Sequence, residues 1–181
     1  LTMTARAIAT VLHDRPELFQ SAEDDVLTAE PGDIYAYPLA NYINLDGNPK
    51  DWGEQILSST MFAMNLEGEL ADNLLVRHMV GHRGAFVYAF FDVEDDFYVS
   101  RNIEWLRLDT SDQLRITLQS PAVGENRYLF SAEEPGRMSA YLMDGAWEYP
   151  LSGAPNYDMA ANILPSNNGY RVELRIPRYL L

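Results

Sequence analysis

The chain has no cysteine. Disulfide frameworks, zinc–thiolate centres and thiol nucleophiles are therefore excluded, although the compartment stays open because many extracytoplasmic domains carry no disulfide. Basic residues are also scarce, with 13 Lys and Arg against 27 Asp and Glu and a formal net charge of −14. A surface with that balance repels phosphate backbones and anionic headgroups, which argues against nucleic acid as a partner. Cations and neutral polar ligands such as sugars remain compatible, and acidity also serves solubility on its own.

Long apolar runs are missing too: none approaches the roughly 20 residues that cross a bilayer, and Leu1-Thr-Met-Thr-Ala lacks the apolar region of a signal peptide. The chain opens inside an apparent helix and closes at Tyr179-Leu180-Leu181 directly after a strand-like run. It is expected to be a piece of a longer protein, reaching a membrane only through segments outside this chain. Catalytic signatures are absent as well. His13, His78 and His82 form no HExxH, Ser58-Ser59 lies outside any Gly-x-Ser-x-Gly elbow, and there is no GxGxxG or Walker loop. His78 and His82 would meet only on a helix, whereas their surroundings read as strand and turn. A glycosidase needs two carboxylates at a set separation, and nothing singles out such a pair among the 27 acids. The fragment is expected not to be an enzyme.

What is present is enough apolar material, 47% of 181 residues with 12% aromatic, for one substantial core. From Thr4 to Gln20, Ala5, Ile8, Ala9, Leu12, Leu18 and Phe19 fall largely at helical spacing, with Thr2 or Thr4 as N-cap. Pro16 suits the first turn of a second short helix, Arg15 to Phe19. Ser21 to Asp33 is acidic and turn-rich and reads as a linker, so residues 1–33 are expected to form a membrane-proximal helix and linker and residues 34–181 a β domain.

Beyond residue 33 the pattern turns β. Ile34 to Leu39, Tyr42 to Leu45, Leu74 to Val80, Ala85 to Val93, Leu114 to Gln119, Arg127 to Ser131, Met138 to Met143 and Tyr170 to Ile176 are candidate strands. Arg115, Thr117 and Gln119 are predicted on one face and Leu114, Ile116 and Leu118 on the other. Short strands with Gly, Pro, Asn and Asp turns between them imply an antiparallel β-sandwich rather than βαβ units.

Three stretches, in order, resemble the family 9 carbohydrate-binding modules and their wider superfamily of β-sandwich binding domains. Leu45-Asp46-Gly47-Asn48-Pro49-Lys50-Asp51-Trp52 is similar to the opening Leu/Ile-Asp-Gly turn with its acidic residue and tryptophan. Val87 to Asp95 is similar to the central strand closing on Val-x-Asp, and Asn168 to Pro177 to the late Gly-Tyr-x-x-Glu-x-x-Ile-Pro strand. At Asp112-Gln113-Leu114-Arg115 the chain departs from the family's Asp-x-x-Glu, with Arg115 in the acidic position. On physical grounds Gly47 supplies a turn conformation, Trp52 packs over the end of the sandwich, and Pro177 stops a strand at an edge. The resemblance implies a mainly β, antiparallel sandwich behind an N-terminal α-helix, with a binding role.

A second resemblance lies in Ala5 to Phe19, which is similar to the stretch just outside the first membrane helix of bacterial sensor histidine kinases, reading Ala-Arg-x-(apolar)-Ala and ending near Arg-Pro-x-Leu. A sandwich behind such a helix is similar to the sensor of the kinase paired with a proteobacterial sortase system. The two resemblances together imply an extracytoplasmic, periplasmic sensory domain of a membrane-anchored histidine kinase, homodimeric when full-length. A carbohydrate-binding module that anchors an enzyme to polysaccharide is the alternative. The partner expected is a small molecule, a glycan or an envelope protein.

For ligand binding the candidates are Trp105, Trp147, Tyr149 and Tyr157, since flat aromatic faces stack on sugars, with Asp144, Glu148, Asn156 and Asp158 as polar neighbours. Any one tryptophan also reads as core. Trp147 and Tyr149 stand out because Gly145 to Pro155 has loop composition. Calcium is the one metal suggested, at Glu94, Asp95 and Asp96, because family 9 modules commonly hold it. The run lacks the alternating pattern of a dedicated calcium loop, and a solvated acidic turn is the plainer reading.

Overall fold

The computed structural model describes residues 2–5, 36–53, 58–64, 70–95, 97–102, 108, 111–120, 124–134 and 136–181. Ten strands are described: β1 Thr2–Ala5, β2 Tyr37–Pro38, β3 Ser58–Met64, β4 Leu70–Arg83, β5 Phe86–Glu94, β6 Gln113–Ser120, β7 Gly124–Glu134, β8 Arg137–Met143, β9 Ala160–Ser166 and β10 Gly169–Pro177. They form one sheet in the order β1-β6-β7-β8-β9-β10-β5-β4-β2, with β3 also on β4. All pairs are antiparallel except β1 with β6 and β2 with β4.

The sheet is nearly cut in two, since β8 and β9 share a single Cα pairing, Met138 with Ala161. The two halves curl over a common core. Ala89, Phe91 and Val93 of β5 and Val172, Leu174 and Ile176 of β10 meet Leu114, Ile116 and Leu118 of β6 and Phe130 of β7. This sandwich-like packing follows from period-2 alternation on facing sheets. Leu114, Ile116 and Leu118 are buried as their alternation requires, while Arg115 and Thr117 are half-buried and Gln119 is exposed.

Each half also buries part of its outer face. Behind β4 and β5, Met79, Tyr88 and Phe90 are covered by Leu39 and Trp52 from the segment 36–53. Behind β7 and β8, Leu129, Tyr141 and Met143 cluster with Leu108, and Trp147 packs against them. Strand β5 is therefore buried on both faces, which explains why Val87 to Phe91 reads as a continuous apolar run.

The covering segment is fastened by one carboxylate. Glu173 on β10 is 0% exposed, points out of the main core, and accepts from Trp52 Nε1 at 2.9 Å and from Gly47 N at 2.6 Å. Burial pushes its carboxyl above the usual range, against the opposing pull of N–H donors from Trp52, Gly47 and Asp46. Around it, Asn48 Oδ1 caps a 3-10 turn at Pro49–Trp52 and Asp51 accepts from Asn44 N and Nδ2, both at 3.1 Å. Trp52 stands edge-on to Phe90 with centroids 6.0 Å apart. Two of the three stretches that resemble the sandwich family thus meet at this bond pair.

Several expectations are corrected. Thr4 and Ala5 belong to a strand paired with Arg115 and Ile116, not to the start of an α-helix, and the rest of the expected helix lies outside the described residues. Residues 2–5 pair with β6 within the sheet. Tyr42 to Leu45 forms no strand and instead covers the outer face, with Ile43 and Leu45 packed there. Pro177 ends β10, a strand of the sheet interior rather than an edge strand, but it pairs only with Phe86 of β5, because the ladder with β9 stops at Arg175.

Candidate ligand-binding surface

The narrow β8–β9 junction leaves β8 carbonyls in need of donors, and the loop from 144 to 159 supplies them. Leu151 N donates to Leu142 O at 2.8 Å and Asn156 N to Ala140 O at 2.7 Å, while Met143 bridges Pro150. A tight turn precedes this return: Asp144 N donates to Tyr149 O at 2.9 Å, Trp147 N to Asp144 O at 3.2 Å, and Glu148 N to Asp144 Oδ1 at 2.8 Å. The loop is therefore held by backbone bonds along its length. Such anchoring lowers the entropy lost when a ligand docks.

Trp147 sits at φ 63°, the sole non-glycine residue in the left-handed region among the described residues. For a bulky side chain that conformation costs on the order of 1 kcal/mol, and such outliers concentrate at functional sites. Its ring is half-buried, resting against Leu129, Tyr141 and Met143, with the Arg115 guanidinium 5.5 Å from its centroid. Tyr149 and Tyr157 are 69% and 81% exposed, and Leu151 is exposed between them.

Of the residues singled out from sequence, Asp144, Trp147 and Tyr149 are brought into one turn. Asp144 has one carboxylate oxygen engaged by Glu148 N, so its role is partly to shape the turn. Tyr157 lies at the far end of the loop beside Asp158, which accepts from the Tyr179 hydroxyl; that bond raises the Tyr179 pKa above its usual value. Asn156 Oδ1 accepts Asp158 N at 2.9 Å. Trp105 lies outside the described residues. Arg115, Leu151 and Tyr179 were not singled out for binding; Arg115 carried a signal in its departure from the family's acidic position.

Two of the three expected calcium residues, Glu94 and Asp95, are described. Glu94 is 2.7 Å from Arg77, Asp95 Oδ1 caps Phe97 N at 3.2 Å, and Asp96 lies outside the described residues. No group of three His, Asp or Glu side chains suited to a metal ion occurs among the described residues. His78 and His82 share strand β4, about 13 Å apart at strand rise, beyond the reach of one ion. The cavity lined by Phe91, Val93, Leu114, Met138 and Tyr170 amounts to about 10 Å³, room for a water and no sugar. No protein family, curated protein or solved structure matches the chain.

Proposed function

We propose that this chain is a non-catalytic ligand-binding module whose binding surface is the β8–β9 loop, and that it serves as the periplasmic sensory domain of a membrane-anchored histidine kinase. The observation that carries the binding half is Trp147, held in a left-handed turn beside the exposed Tyr149. A strained aromatic fixed by backbone bonds, with an exposed ring next to it, suits stacking on a glycan face, and Asp144, Glu148 and Asn156 offer polar partners for hydroxyls.

The sensory half draws support from the path between that loop and the N-terminal segment. Trp147 packs over Arg115 of β6, and Arg115 pairs with Thr4 of β1, so one strand separates the candidate surface from the chain that would lead toward a membrane. A ligand that favours one placement of β1 by a few kcal/mol would shift a two-state signal. The same exposed aromatics favour a second reading, a carbohydrate-binding module that anchors an enzyme to polysaccharide.

A glycan array probed with the wild-type chain and with Trp147→Ala and Tyr157→Ala tests the binding half. The expected outcome is binding to at least one glycan that weakens about tenfold or more in Trp147→Ala, as for loss of a central aromatic anchor. Because Trp147 is half-buried and strained, its stability loss is expected to stay within about 2 kcal/mol. Binding to no glycan, or full binding by both variants, would remove the reading. Amide exchange at residues 2–5 then separates the two roles. A ligand-dependent change there supports sensing, and an unchanged rate supports simple anchoring.

A further inference from the structure

Several arginines of this acidic chain meet carboxylates. Arg77, Arg127, Arg137 and Arg171 each lie within 3.3 Å of one. Three others, gathered at the β4–β5 turn, do not. Arg83 donates to the carbonyls of Leu39 and Ala40, Arg178 donates to Gly84 O at 3.4 Å, and the Arg175 guanidinium lies 4.7 Å from the Phe86 ring centroid. Among the described residues no ion pair joins any of the three to an acid, in a chain with 27 acids to choose from.

The strand register places two of these cations on one surface. Arg83 pairs with Phe86, while Gly81 and Arg175 both pair with Tyr88, so Arg83, Phe86, Tyr88 and Arg175 share the outer face of the sheet. Two strand spacings and one two-residue step set their Cα atoms about 12 Å apart. That separation suits charges spaced along an oligomer better than one small anion. Tyr42 lies over Arg83, 4.3 Å from ring centroid to guanidinium, and is 79% exposed; Tyr37, paired with Gly81 on the same strand as Arg83, is exposed as well. His82 lies at the same end, where burial and then the charge of Arg178 hold its imidazole below the usual range. At physiological ionic strength the overall −14 is screened beyond about 8 Å, so the local sign governs docking.

The geometry points to a second binding surface at this end, built from Arg83, Arg175, Arg178, Tyr37 and Tyr42, for a saccharide that carries carboxylates, of the uronic-acid type. Planar guanidiniums pair carboxylates through two parallel hydrogen bonds, and exposed tyrosine faces stack on sugar rings. A flexible acidic peptide offers the carboxylates without the rings. The surface is independent of the β8–β9 loop, with no residue in common.

The test is titration of the full chain with hexagalacturonate and, in parallel, with its fully methyl-esterified form and a hexaglutamate peptide. The expected result is saturable binding of the free acid, about tenfold or more tighter than the ester or the peptide, weakening with added salt. Arg175→Gln and Arg178→Gln are each expected to weaken it several-fold, and Tyr42→Ala likewise. Trp147→Ala is expected to leave it unchanged, which separates this surface from the loop. Arg83→Gln is left aside, because Arg83 also holds the 39–40 backbone. No binding up to about 10 mM, a weak limit of about 3 kcal/mol, would overturn the proposal. Equal binding of the ester, equal binding of the peptide, or full affinity in Arg175→Gln, Arg178→Gln and Tyr42→Ala would each overturn it too.

Discussion

Replacing Glu173 with alanine is expected to cost about 3–5 kcal/mol, because it strands the buried Trp52 Nε1–H and Gly47 N–H, which cannot reach water without the segment 44–53 lifting away. For a chain of this size that is a fall of about 10 °C in the melting midpoint. Glu173→Gln keeps one acceptor but turns an amide N–H₂ toward a donor, so about 1–2 kcal/mol is expected. A cycle with Trp52→Phe, which removes the indole N–H together with the pyrrole part of the ring, should be non-additive by the worth of the shared bond, since both changes break it. Additive losses would show that the carboxylate and the indole act separately.

The same carboxyl gives a pH signature. Its folded-state pKa is raised by burial, so the folded state holds the proton at pH values where the unfolded chain has released it. The stability it contributes is fully present below the unfolded pKa of about 4.3 and is lost as pH rises through the raised folded value. The advantage of the wild type over Glu173→Gln is therefore expected to shrink as pH rises from about 4, measured by denaturant unfolding at each pH. An advantage that grows over that range would mean that the N–H donors outweigh burial.

Gly169→Ala is expected to cost about 3–5 kcal/mol, from strain and overpacking together. Gly169 opens β10 at φ 141°, and a Cβ there would stand 2.1 Å from Val93 O and 2.7 Å from Asp95 N. Both obstacles are backbone and cannot swing aside as a side-chain tip would. The β9–β10 hairpin would have to move away from β5, breaking the pairing of Gly169 with Glu94 and Ser166. Chemical denaturation measures the loss; a change below about 1 kcal/mol would mean that the turn relaxes freely.

The sheet was largely legible in the sequence where alternation or β-branched density marked a strand. Leu114 to Gln119 became the centre of β6, and Tyr170 to Ile176 became β10. Strand β9, Ala160-Ala-Asn-Ile-Leu-Pro-Ser, escaped because alanine, asparagine and proline have low strand preference; its place is set by pairing with β10. Tyr42 to Leu45 erred in the opposite direction, since its apolar residues were selected to cover an outer face and not to pair. Thr4 and Ala5 carry helical spacing locally, and pairing with β6 overrides it. Trp52 and Glu173 were each visible, 121 residues apart, but no local pattern could tell that they bond. In the candidate surface the aromatic loop was legible from its Gly and Pro content. The left-handed turn at Trp147 and the Arg115 contact were not, because both depend on the narrow junction between β8 and β9.

The fold as a whole spends its strongest interactions on a central core and two covered outer faces, and leaves its exposed tyrosines on segments pinned by backbone bonds. That division of labour suits a rigid scaffold that presents a surface. Amide hydrogen exchange of the full chain, with and without a saturating neutral oligosaccharide chosen from the array, tests the binding claim most directly. Protection is expected across residues 144–158, centred on Trp147 and Tyr149, with the amides of β5 and β10 unchanged. Unaltered exchange throughout that loop, with protection appearing elsewhere, would contradict it.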